Sequence, residues 1–306
     1  MTIRPVKTIT KSKYTVEGAG VNLHRVFGYD ELNLLDPFLM MDDFRSDNPR
    51  DYLNGFPWHP HRGIETITYI LKGTIDHADS LGNKGELSDG DIQWMTAGSG
   101  IIHQEMPKGN QKGEMHGFQL WANLPSDKKM TKPRYQDIQS EAINEIKDDD
   151  GSSIKIIAGN YRGYFGPVDG ISTKPNYLDI SIPPLTSKRI PFDTRRQGFA
   201  YVFEGNANFS NSSKPVGIQI EKEFNGEEIK LRDMTGNRTL LTFDSGDEIQ
   251  VNSGESGVRF LLISGLPIKE PVAWHGPIVM NTKEELKQAI QELNNGNFIK
   301  TNMNES

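Results

Sequence analysis

His59-Pro60-His61 and His103-Gln104-Glu105 are the residues of this 306-residue chain best suited to chemistry. Each segment places its two end residues in an i, i+2 relation, and on a β-strand that spacing points both side chains to one face. Two such pairs on facing strands would aim three imidazoles and one carboxylate at a common point. Three nitrogens and one oxygen suit a first-row divalent metal, and a six-coordinate ion would keep positions open for substrate or oxygen. Three of the seven histidines belong to this set. A lone His-x-His or His-x-Glu is more often an exposed or satisfied pair than a ligand pair. Their combination, between Gly-bounded strand signals, favours the metal.

The elements that must position these residues are strands. Thirty Gly and seventeen Pro point to many short strands and turns rather than a helical bundle. Ile64–Leu71 is rich in β-branched and aromatic residues and ends at Gly73. Thr74–Asp79, Asp91–Met95, Ile101–Met106 and Met115–Asn123 continue the series, with His116, Phe118 and Leu120 on one face of the last and Gln119 and Trp121 on the other. Short strands at this spacing predict a sandwich or barrel. Pro60 donates no ladder hydrogen bond, which predicts a bulge or an edge at the ligand strand. Ile138, Ala142, Ile143 and Ile146 lie near helical spacing, so a short helix is expected over 134–147, followed by a solvated turn at Asp148–Ser153.

The second half echoes the first. Tyr69–Gly73 returns as Tyr201–Gly205, Gly90–Gln93 as Gly246–Gln250, and Ser99-Gly100 as Ser256-Gly257, in the same order. Two related β-barrel lobes follow, with boundaries expected at 1–135, 136–155 for the connecting helix and linker, and 156–306. Carried across by these echoes, His59 and His61 fall on Pro191 and Asp193, and His103 and Glu105 on Phe260 and Leu262. The second lobe therefore has no equivalent site, and one metal per chain is expected. Thr282–Glu285 is a capping box opening a C-terminal helix, whose Leu286, Ala289, Ile290 and Leu293 form one apolar stripe.

Composition narrows the function classes. Net charge is −7, from 34 basic and 41 acidic residues, with no dense Lys/Arg block, which argues against direct nucleic-acid binding. With no cysteine, any metal must be held by His, Asp or Glu. No signal-peptide core and no apolar run of spanning length is visible, so a soluble, cytoplasmic protein off the membrane is expected.

The chain resembles the pirin family of the cupin superfamily. The resemblance lies in Leu35–Met40, Gly55–Gly63 (with His-Pro-His-Arg-Gly), Gln93–Gly98, Gly100–Met106 and Gly276–Thr282, and runs from about Val21 to Phe298. It implies an all-β fold of two tandem cupin β-barrels, a bicupin, with a C-terminal helix and a mononuclear metal, typically iron, in the N-terminal barrel only. By motif the ligands would be His59, His61, His103 and Glu105. The general cupin pattern would instead use a Glu after the first His pair, here Glu65, and a second-motif His near Ile101. In the pirin pattern the carboxylate passes to Glu105, leaving Glu65 to support the site from outside or to lie at the surface. His116 is expected to be a satisfied core histidine, His77 has no partner by spacing, His24 and His275 are structural or exposed, and Arg62 is a salt-bridge residue or a guard at the pocket mouth.

The resemblance also frames the activity. One reading is an Fe(II)-dependent dioxygenase of the quercetin 2,3-dioxygenase type, acting on a flavonol-like aromatic with O2, with Glu105 as the candidate base. The same ligand set accepts Mn, Co, Ni, Cu or Zn as substitutes. The other is a non-enzymatic regulator whose metal state governs binding to a protein partner, a transcriptional cofactor or metabolic-enzyme modulator. A zinc isomerase of sugar phosphates is set aside, since no phosphate cradle or basic cluster accompanies the ligand motifs.

Overall fold

The computed structural model describes residues 2–31, 34–209, 223–224, 227–228 and 234–300. Among them strands carry the fold, with short 3-10 turns and a single α-helix near the C-terminus. The chain forms two compact cupin-type units. Strand β1 (Val6–Lys11) pairs with Thr239–Phe243 in one unit, while the metal-motif residues lie in the other.

The unit containing the histidines comprises Lys13–Ile143, Gly166–Pro175 and the chain from Gly265 onward. Its larger sheet is built from β2 (Lys13–Glu17), β3 (Val21–Phe27), β4 (Phe38–Ser46), β6 (Ile64–Lys72), β9 (Ile92–Thr96), β11 (Met115–Asn123) and β12 (Arg134–Ile138), in the order β12-β9-β6-β11-β4-β3-β2. Its smaller sheet holds β5 (Phe56–His61), β7 (Ile75–Asp79), β8 (Lys84–Leu87) and β10 (Ile101–Pro107), in the order β5-β10-β7-β8. Val21, Leu23, Phe44, Ile70 and Met115 from the larger sheet share a core with Ile75 and Leu87 from the smaller. Central strand β6 is buried on both faces, hence its near-continuous apolar and β-branched run, whereas β10 alternates buried and half-buried residues.

The other unit comprises the first twelve residues, Asn144–Phe165 and Asn176–Ser264. Its nine-stranded sheet wraps an apolar core that includes Ile156, Leu178, Ile180, Phe192, Val202, Phe243 and Phe260.

Two expectations need correction. The residues 134–147 form no helix: β12 pairs with β9, a 3-10 turn spans Ser140–Ala142, and Asn144–Lys147 pairs with Ser153–Ala158. The helical spacing there was sparse, and open strand edges supply a full ladder of backbone partners that outweighs it. The lobes also exchange their ends. β1 joins the second unit, and α1 (Lys283–Asn294) belongs to the first, not to a lobe spanning 156–306. The cause is burial: Leu286, Ala289, Ile290 and Leu293 pack with Ile278, Met280, Phe298 and Ile102. The capping box forms as expected, with Thr282 Oγ1 accepting from Glu285 N–H and Glu285 Oε2 accepting from Thr282 N–H. No described helix is long and apolar enough to cross a membrane.

Candidate metal centre

Strands β5 and β10 run antiparallel with His59 opposite His103 and His61 opposite Ile101. The i, i+2 spacing therefore turns three imidazoles to one face. Their ring centroids are 4.4 Å (His59–His103), 4.9 Å (His59–His61) and 5.0 Å (His61–His103) apart, and one nitrogen from each lies within 4.8 Å of the others. β5 is an edge strand, and a bulge falls between the His103/His59 and Glu105/Phe56 pairs, so Pro60 sits where its missing N–H costs least.

The local chemistry fits a divalent cation. His59 Nδ1 lies 2.9 Å from the Pro57 carbonyl, which fixes that nitrogen as the donor and leaves Nε2 with its lone pair. His61 Nδ1 and both nitrogens of His103 are buried with no hydrogen-bond partner among the described residues. Buried polar atoms left unpaired cost free energy unless another ligand satisfies them. Burial, together with the other imidazoles, pushes His61 and His103 well below the usual histidine range, and His59 is lowered by burial against the Pro57 hydrogen bond. Neutral imidazoles with free lone pairs are the form that binds a metal.

Glu105 lines the same cavity as His59 and His61, but its carboxylate lies outside the three-nitrogen cluster. Burial lifts it to about 7, against a hydrogen bond from Thr68 Oγ1 at 3.0 Å. Glu65 is also buried and also lifted to about 7 by burial, yet it sits on the opposite face of β6 and accepts from Thr96 Oγ1 at 2.8 Å. It is neither in the cavity nor at the surface.

The cavity measures about 720 Å³. Phe44, Phe56, Ile75, Trp121 and Trp274 give it an apolar and aromatic wall, and Gln119, Arg25, Asp42 and Glu17 add polar groups. Trp121 stands edge-on to His61 at 5.1 Å and leads to Trp274 at 5.9 Å and then Tyr29 at 5.6 Å. Arg25 grips Asp42 through two hydrogen bonds of 2.8 and 2.9 Å and meets Glu17 at 3.0 Å.

The strand end after His61 is braced from behind. Gly63 adopts φ +76°, where a Cβ would lie 2.0 Å from the Val279 carbonyl oxygen. The buried Lys129 ammonium donates to the Asn123 side chain at 2.5 Å, the Gly63 carbonyl at 2.9 Å and the Val279 carbonyl at 3.0 Å. Arg62 is buried, not at the mouth: it donates to Glu292 Oε2 and to the Phe298 carbonyl, each at 2.7 Å, with its guanidinium 4.2 Å above the Phe298 ring. Burial opposes ionisation of Glu292, but Lys300, Arg62 and Gln288 outweigh it and hold the carboxyl at about 2.

Spacing anticipated the three-histidine convergence and the buried His116, whose Nε2 lies 3.5 Å from Asp43 Oδ1. It did not find His77 opposite Glu105 across the β7–β10 ladder, nor Lys129, nor Gln119 and Trp121 as cavity wall. The face shared by Gln119 and Trp121 was legible; that this face looks into a cavity was not. His275 lies exposed at the cavity lining, and His24 packs edge-on to Tyr14 at 5.9 Å.

Comparison with known proteins agrees with this geometry. Residues 20–122 match the Pirin family model, and residues 177–299 match that of the pirin C-terminal cupin domain. A pirin-like protein of Caulobacter vibrioides is 40% identical over 97% of this chain and 100% of its own length. Human pirin is 37% identical over 93% of this chain and 90% of its own. The crystal structure of a quercetin 2,3-dioxygenase from Acinetobacter baumannii superposes with a TM-score of 0.81 at 30% identity, covering 97% of this chain and 98% of that one.

Proposed function

The chain belongs to the pirin family, and from that premise we propose that it is a metal-dependent oxygenase of the quercetin 2,3-dioxygenase type. His59, His61, His103 and Glu105 would hold the metal, with Fe(II) as the native ion, and the substrate would be a planar, hydroxylated aromatic cleaved with O2. The observation that carries this reading is the cluster of three imidazoles, His61 and His103 buried and His59 half-buried, of which His59 and His61 line a large aromatic cavity. Iron bound there supplies Lewis acidity toward a substrate hydroxyl and the redox capacity that oxygen chemistry requires.

The chain's own groups do the rest. Trp121 and Trp274 line the cavity and would give a flat ligand an aromatic surface to pack on, and the apolar wall would limit water at the reacting atoms. Glu105 is placed to accept the proton that the substrate hydroxyl releases. Free of metal, burial lifts its carboxyl to about 7, and a bound cation would favour the ionised form that can accept a proton. The Pro57 carbonyl keeps His59 in the tautomer that presents Nε2.

Anaerobic reconstitution with Fe(II), followed by quercetin and oxygen, tests the proposal. Loss of the flavonol absorbance with matching oxygen uptake is expected, and Glu105→Gln, which removes a proposed metal ligand together with the base, should slow it by roughly a hundredfold or more. No oxygen uptake with iron, manganese, cobalt, nickel, copper or zinc would sink the oxygenase reading.

A further inference from the structure

Thr68 stands between two acceptors. Its hydroxyl oxygen lies 3.0 Å from Glu105 Oε1 and 2.7 Å from the side-chain oxygen of Gln119, its direct neighbour across the β6–β11 ladder. A hydroxyl carries one proton, so it can serve only one of these oxygens and meets the other lone pair to lone pair. A carboxylate that ligates a cation is ionised and offers acceptors alone. In the metal-loaded protein the Thr68 proton is therefore committed to Glu105. Gln119 removes the remaining repulsion by turning its amide over, so that Nε2–H donates to Thr68 Oγ1. Gln119 has no other hydrogen-bond partner among the described residues, and it lines the cavity together with His59, His61 and Glu105. The turn costs no other hydrogen bond and leaves the side-chain oxygen facing the ligand space.

We infer that Gln119, oriented through Thr68, is a specificity-determining residue whose oxygen selects aromatic ligands bearing a hydroxyl donor beside the atom bound at the histidines. The inference rests on the metal-site reading above. Thr68 takes one of the amide's two N–H donors and holds Nε2 on its own side, so the oxygen is the end turned to the cavity. An ether oxygen in place of the hydroxyl would face it lone pair to lone pair, which disfavours the O-methylated analogue.

Titration of Co(II)-loaded protein with catechol and with its monomethyl ether, guaiacol, tests this through the cobalt absorption spectrum. Methylation also weakens chelation, so the decisive quantity is how much the catechol-over-guaiacol preference changes between the native protein and Gln119→Met. The preference should fall about fivefold, the worth of one neutral hydrogen bond, while the spectrum of the ligand-free cobalt protein stays as it was. Thr68→Val, which releases the amide to turn back, should also reduce the preference. An unchanged preference in Gln119→Met overturns the inference whether or not quercetin is consumed. Where Gln119→Met takes up no cobalt, Thr68→Val decides, and a native preference there overturns it. Absent quercetin turnover with a Gln119-dependent preference overturns the oxygenase reading alone.

Discussion

The interiors of the two units are built from similar antiparallel strands but hold opposite chemistry. In the first, His61, His103, Glu105, Thr68 and His77 are buried among the core strands, and several of their nitrogens have no hydrogen-bond partner among the described residues. In the second, the positions that the internal echo aligns with His103 and Glu105 are Phe260 and Leu262, both buried in an apolar core. There the Phe260 ring lies 5.3 Å from Phe209, which lies 6.3 Å from Phe243. Buried aromatic packing stabilises, whereas buried imidazoles without partners cost stability. Accepting that cost at the imidazole positions of one unit, and filling the aligned positions of the other with apolar side chains, separates the work of binding from the work of holding shape.

The strongest test of this contrast is metal content. Elemental analysis should find one divalent ion per chain, and His103→Ala should reduce it to near zero, because it removes a central buried ligand. Two ions per chain would break the comparison outright. The next effect is on stability. Phe260→Ala opens a cavity in the second unit and should cost about 3–5 kcal/mol in urea unfolding. His103→Leu in the metal-free protein should cost nothing or stabilise, since it replaces an unsatisfied buried polar ring with a methyl-rich one. Equal losses for the two variants would show that the imidazole packs as an ordinary core residue.

Much of this contrast is legible in the sequence, for identifiable reasons. His59-Pro60-His61 and His103-Gln104-Glu105 carry a period of two, and strands translate that period directly into a shared face. The echo from Tyr69–Gly73 to Tyr201–Gly205 marks the second unit and the loss of its ligands. What remains hidden depends on tertiary pairing. Nothing around Lys129 signals that its ammonium will be capped by two carbonyls and an asparagine. Arg62, adjacent to His61, could be read as a salt-bridge residue or a guard at the pocket mouth, and only the Glu292 carboxylate on the helix decides for the salt bridge. The apparent helix at 134–147 fails because an edge ladder decides that segment, and β1 and α1 cross between units because only the folded chain reveals the edges and faces that they cover.

A third, smaller effect follows from protonation. Unfolded histidines titrate near 6.5, while burial holds folded His61 and His103 well below that. Between the two values the unfolded chain binds more protons, so the metal-free protein should lose stability as pH falls below about 6.5. Each such group contributes up to about 1.4 kcal/mol per pH unit. His103→Leu should therefore shrink the stability difference between pH 7 and pH 5 by roughly 1–2 kcal/mol, read from urea midpoints at both values. Phe260→Leu should leave that difference as it is in the native chain. A pH dependence unaffected by His103→Leu would place the acid sensitivity outside the first interior.

The smallest test concerns where the first unit ends. Metal bound by one unit stabilises only that unit, by about 4 kcal/mol at a thousand times Kd, so calorimetry should show a single metal-sensitive transition. Thr282→Ala removes the oxygen that caps α1 and should cost about 1 kcal/mol. Because α1 buries its stripe against Ile278, Met280 and Ile102, strand β10 included, that loss should fall on the metal-sensitive transition. The metal-insensitive transition should stay fixed, although the helix follows the second lobe in the chain. A shift confined to the metal-insensitive transition would assign the helix to the apolar interior. The contrast between the units would then divide the chain by sequence order, with the histidine site standing on its own strands alone.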